Sequence, residues 1–208
     1  MHSDAIPSTA ASPTGRRAVL AAGLGAGLGA AVTLLPMLTG TAAAADGAPP
    51  KKPTADDLEV LGVAQRLELA LRDVYDDAIG GVAGWTDEQA AVMVALREAH
   101  EEFANALSSM LGTDAPGKRS EVAYAELRVD TDGAPGDAIV ELWSVESRAT
   151  ATHLEVLGSL VGTDGAELTA AIITAEARHS TALADLAGIS DPSLRLVDEE
   201  QAPVDATK

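Results

Sequence analysis

The chain has 208 residues, with 14 basic against 32 acidic side chains and a formal charge of -18, so nucleic-acid backbones and anionic lipid surfaces should repel it. It contains no cysteine, which excludes a disulfide scaffold, an iron-sulfur cluster, a lipid-modified cysteine and thiol catalysis. Aromatic residues make up only 2% of the sequence, and the apolar content is mainly Ala, Leu and Val.

Residues 1–45 have the three-part layout of an export signal. A polar lead ends in Arg16 and Arg17, the Gly- and Ala-rich run "AVLAAGLGAGLGAAVTLLPML" follows, and "TGTAAAADG" offers a small-residue cleavage site with Ala43 and Ala45. The paired arginines, with Leu20 behind them, predict a twin-arginine signal; Val19 and Gly15 depart from its usual residues. Cleavage after Ala45 would leave a periplasmic, cell-wall or secreted protein without stable membrane association. An uncleaved run from Ala18 to Leu38 is long enough to anchor the chain instead.

Residues 46–56, "DGAPPKKPTAD", read as an extended, mobile lead. A four-helix domain is expected over 57–188. The first helical pattern runs from about Leu58 to Ile79, with Thr54 as its cap and a stripe of Leu61, Ala64, Glu68, Leu71, Tyr75 and Ala78. The second opens on "WTDEQ", where Thr86 and Gln89 form a capping box, and carries Met93, Leu96, His100, Phe103, Leu107 and Met110 before Gly112. A third pattern from about Asp137 to Val161 carries Ile139, Leu142, Glu146, Ala149, His153, Val156 and Leu160. The fourth follows "GTDG" and carries Leu168, Ile172, Glu176, His179, Leu183 and Leu186, ending at Gly188. No alternating run argues for a sheet, so the fold class is all-α.

Short loops after the first and third helices make antiparallel hairpins. Between them lie roughly 25 residues, enough to return along a bundle about 35 Å long, with a short helix foreseen at Ser120–Leu127. Two hairpins joined by one long crossover is the ferritin-like connectivity. The tail, 189–208, reads as a small apolar patch followed by a polar, partly disordered end.

Each of the four stripes is broken by an ionisable residue, and an unpaired buried carboxylate is costly. Counted through the short loops, Glu68, His100, Glu146, Glu176 and His179 lie at depths that agree within a few ångströms, placing them in one mid-bundle layer. His153, two turns from Glu146, falls by the same count in another layer. Carboxylates and imidazoles suit iron or manganese, and Glu176 and His179 in "EARH" share one helix face. Trp85 and Trp143 read as packing residues, and Tyr75 as a core hydrogen-bonding group.

The segments "RLELALRDVY", "REAHEEFANAL", "VESRATATHLEVLGSL" and "ITAEARHSTAL" resemble the core helices of the ferritin-like superfamily, particularly its small exported bacterial members. The resemblance covers about residues 58–188 and implies a metal set of Glu68, His100, Glu146, Glu176 and His179. It departs from the pattern at Arg97, which stands where the family has the first Glu of a helix-two Glu-x-x-His. Arg97 would compete with a metal if it turned inward, neutralising Glu68 or Glu146 as a buried ion pair.

Two readings follow. In one the chain is a non-enzymatic structural or interaction module with an ion-paired polar core and no assigned catalytic residue. In the other it is an iron- or manganese-binding, carboxylate-bridged metalloprotein of oxidoreductase or ferroxidase-like character.

Overall fold

The computed structural model describes residues 48–195, 198 and 201–208. The expected signal, its cleavage site and the alternative anchor fall outside the described residues. Among those described there are five α-helices and no strand: α1 (Ala55–Gly81), α2 (Asp87–Leu111), α3 (Glu121–Leu127), α4 (Pro135–Ser159) and α5 (Thr163–Leu186). No described helix is long and apolar enough to cross a membrane.

The four long helices are the four expected from periodicity, α4 and α5 being the third and fourth. Their starts follow local chemistry. Thr54 accepts from the Asp57 N–H while Asp57 accepts from the Thr54 N–H, and Thr86 and Gln89 do the same for α2. Pro135 opens α4, where a missing N–H costs nothing. Gly112 ends α2 at a φ of 59°, a backbone region that glycine enters without penalty.

Helices α1 and α2 pack as one hairpin and α4 and α5 as the other, with α1 against α4 and α2 against α5. The crossover carries α3 where the short helix was foreseen, and it is fastened to the bundle. Gly117 N–H donates to Gln65, Ser120 N–H donates to the Arg66 carbonyl, and α3 buries Ala123 and Leu127 against the bundle. Ser120 caps α3 by accepting from Ala123 N–H.

The described segments flanking the bundle are held more firmly than their composition suggests. The Pro-rich lead was expected to be mobile, yet its carbonyls at Pro50 and Lys51 accept from Thr163 and Asp164 at the start of α5. Asp57 completes this junction. Besides closing its own capping box, its buried carboxylate accepts from Val161 N–H at 2.8 Å and Gly162 N–H at 2.9 Å. Gly162, the N-cap residue of α5, has no side chain to offer, so an acid from α1 neutralises that helix end from across the fold. A Cβ at 162 would lie 2.7 Å from the Lys52 carbonyl oxygen, which explains the glycine.

The expectation of a disordered C-terminal end is likewise corrected for residues 201–208. Val204 and Ala206 are buried, Val204 N–H donates to Thr152, and Arg66 donates to the Thr207 carbonyl. The segment lies along α1 and α4, where it lines a cleft with Val60, Val63 and Val156.

Two apolar clusters make up the core. One gathers Leu67, Leu71, Val74, Met93, Leu96, Ile139, Leu142 and Leu183, and the other Leu61, Ala64, Leu107, Leu111, Val156 and Ile172. On α2, α4 and α5 the break between these two sets falls at His100, at His153 and at Glu176 with His179, while Glu68 and Glu146 sit at the inner edge of the first set. The polar layer is therefore closed off by apolar packing on both sides along the bundle axis.

Candidate metal centre

Glu68 from α1, His100 from α2, Glu146 from α4, and Glu176 and His179 from α5 converge in that layer as the stripes predict. The first four are wholly buried and His179 is 4% exposed. His100 sits centrally: its Nδ1 lies 2.8 Å from Glu68 Oε2 and its Nε2 lies 3.1 Å from Glu146 Oε1. His179 Nδ1 stands 3.4 Å from the same Glu146 oxygen.

Sequence reasoning excluded a sixth member. His153, placed by depth in another layer, has its Nδ1 2.9 Å from Glu176 Oε1 and its Nε2 3.4 Å from Glu68 Oε1. The two-turn spacing from Glu146 was right, but side chains on a helix lean toward its N-terminus, so His153 reaches back toward the layer of Glu146. The glutamates of the neighbouring helices fill the intervening space. The signal was present in the sequence, since His153 lies on the same stripe as Glu146.

Arg97 also departs from its expected place. It turns away from the core, donating to Asp76 at 3.0 Å and pairing with Glu101 one turn along α2. A guanidinium entering the cluster would have lost its hydration, whereas two surface carboxylates hold it at the solvent boundary. Among the described residues, every ion pair made by the six cluster members is with another member.

The electrostatics follow from three carboxylates and three imidazoles sharing a space in which only His179 reaches solvent, and that slightly. Burial opposes a charge on His100, but Glu146 and Glu68 outweigh it and hold its pKa well above the ordinary histidine value. Burial likewise opposes charge on His153, and Glu176 and Glu68 still bring its pKa up to about 9. For Glu146 the penalty of burial is overcome by His179 and His100, so its pKa is lowered. Glu176 behaves oppositely: burial, reinforced by Glu68 and Glu146, raises its pKa against the pull of His153.

Tyr75 donates its hydroxyl to Glu146 Oε1 at 2.6 Å and stacks on the His100 ring with centroids 5.3 Å apart, so its expected core hydrogen bond is present. Trp85 packs at the α1–α2 turn and donates to the Ala78 carbonyl. Trp143 packs against the larger apolar cluster.

Several ligand-type atoms are left over. Glu68 Oε1, Glu146 Oε2, Glu176 Oε2, His153 Nε2 and His179 Nδ1 are buried without a hydrogen-bond partner, the last two facing carboxylates only at 3.4 Å. Buried polar atoms are normally satisfied, so five such atoms in one layer call for an explanation. Two groups could each hold a metal ion: His100, Glu146 and His179; and Glu68, His153 and Glu176. In each, one ligand atom per residue lies within 4.8 Å of the others.

An all-helical bundle of two hairpins around a buried carboxylate and imidazole layer is the architecture of the ferritin-like class. A sequence model of the ferritin-like domain family matches residues 56–188. The chain belongs to that family. Comparisons with curated proteins and with solved structures return no match.

Proposed function

We propose that this ferritin-like domain binds iron or manganese in its buried layer, and that the protein carries out this role outside the cytoplasmic membrane after export by the twin-arginine route. The single observation that supports metal binding most is the set of unpartnered carboxylate and imidazole atoms in a layer that Arg97 leaves open. Carboxylate oxygens and imidazole nitrogens are the donors these ions take.

The residues divide the work. Glu68, Glu146 and Glu176 would supply carboxylate oxygens, and His100, His153 and His179 would supply nitrogen donors. Tyr75 fixes Glu146 through its hydroxyl, and the apolar clusters on either side keep bulk water from the layer. Bound iron or manganese would bring one-electron redox chemistry to the site. The ion-paired core, the other reading of the sequence, fits the metal-free protein: its acids and imidazoles pair with one another, and Arg97 takes no part.

The test is direct. The protein purified from the export compartment should contain iron or manganese, and metal-free protein should take up Fe(II) or Mn(II) without unfolding. Replacing Glu176 and His179 together by Ala should abolish uptake. Folded wild-type protein that binds neither ion would refute the reading.

A further inference from the structure

The two hairpins carry the layer in matching register, and their differences divide it. Glu68 on α1 matches Glu146 on α4, and His100 on α2 matches His179 on α5. Seven residues beyond each glutamate stands a side chain that reaches the other hairpin's glutamate. Tyr75 donates to Glu146 at 2.6 Å, and His153 Nε2 faces Glu68 at 3.4 Å. Three residues before each of the matched histidines stand Arg97 and Glu176.

The hairpins therefore differ at two places, Tyr75 against His153 and Arg97 against Glu176, and both differences fall on one side. The group of Glu68, His153 and Glu176 has as its counterpart Glu146, Tyr75 and Arg97. In that counterpart Arg97 has turned to the surface and Tyr75 spends its hydroxyl on Glu146. What remains is a pair of unlike groups. Glu68, His153 and Glu176 offer two carboxylates and one imidazole, while His100, Glu146 and His179 offer one carboxylate and two imidazoles. Glu68 touches both, with Oε1 facing His153 and Oε2 facing His100.

Donor type discriminates between first-row ions. Oxygen-rich sets suit Mn(II), whereas two imidazoles with one carboxylate suit Fe(II), and the general affinity order places Fe(II) above Mn(II) most strongly where nitrogen donors dominate. Resting on the metal-binding reading above, we propose that the layer is two non-equivalent metal positions joined by Glu68. When both metals are supplied, Mn(II) goes to Glu68, His153 and Glu176, and Fe(II) to His100, Glu146 and His179.

The experiment gives the metal-free full chain one equivalent each of Fe(II) and Mn(II) without oxygen. Metal content is then measured together with the paramagnetic resonance of Mn(II), and anomalous diffraction at the two absorption edges assigns each metal to a position. The expected result is one ion of each kind per chain, with manganese next to His153 and iron between His100 and His179. His153→Gln should lose manganese and keep iron, and His179→Gln should do the reverse. Two ions distributed at random over both positions, or both variants losing both metals in equal measure, would overturn the division while leaving metal binding intact. No ion in the wild type would instead refute metal binding itself. Should either variant fail to fold, the diffraction assignment in the wild type decides the matter alone.

Discussion

Replacing Asp57 by Asn isolates one charge at a junction of three chain segments. The carboxylate accepts from the N–H groups of Thr54, Val161 and Gly162, which together with burial set its pKa. The Thr54 and Val161 backbone donors lower it most, burial opposes them, and the outcome is a fall from 3.8 to about 2. At about 1.4 kcal/mol per pH unit that fall corresponds to roughly 2.5 kcal/mol as a ceiling, and solvent screening near the helix ends brings the expected loss to about 1–2 kcal/mol. The folded pKa lies below the unfolded one, so the contribution is complete above about pH 4 and is lost as pH falls through about 2. Urea unfolding of wild type and Asp57→Asn across this range should show a stability difference at pH 7 that shrinks below pH 4, because a protonated Asp57 resembles Asn. A difference that stays constant through that window would refute the assignment of this stability to the charged form.

Other predictions test neighbouring inferences. Arg97→Leu should cost no more than about 1 kcal/mol in chemical denaturation, the range of exposed ion pairs; a loss of about 3–5 kcal/mol would mean that Arg97 neutralises the core. Gly162→Ala should destabilise by about 1–3 kcal/mol, since its Cβ would press on the Lys52 carbonyl and Pro53; an unchanged melting temperature would contradict that close approach. Removing residues 201–208 unburies Val204 and should cost about 2 kcal/mol, read as a fall of roughly 4–8 °C in Tm. Tyr75→Phe leaves Glu146 one donor short inside the core and should lower stability by about 1–3 kcal/mol, with no loss expected if the hydroxyl bond were incidental.

How far the sequence reached depended on the kind of physics involved. The four long helices and five of the six ionisable residues of the mid-bundle layer were legible because helical periodicity, capping boxes and loop lengths are local and repeat over many turns. His153 was misjudged because depth was counted along the axis alone, ignoring the lean of side chains and the length of their partners. Arg97 was left open for another reason. Its direction is a contest between desolvation and the acids it can find, and Asp76, on a different helix, does not appear in the local pattern of α2. The segments flanking the bundle were misread by composition. Nothing in "DGAPPKKPTAD" announces that its carbonyls will cap α5, and the short spacing of Val204 and Ala206 gives no strong apolar signal on its own.

The balance of three acids against three imidazoles bears on the order of events in the protein's life. Small zinc domains depend on their ion to fold, because their metal site does not exist until the ion assembles it. Here the acids and imidazoles of the layer face one another and apolar clusters pack on either side, so the bundle can close first and accept an ion afterwards. Metal would then find a receptor already assembled, and its affinity would reflect the exchange of protons for metal rather than the ordering of a chain.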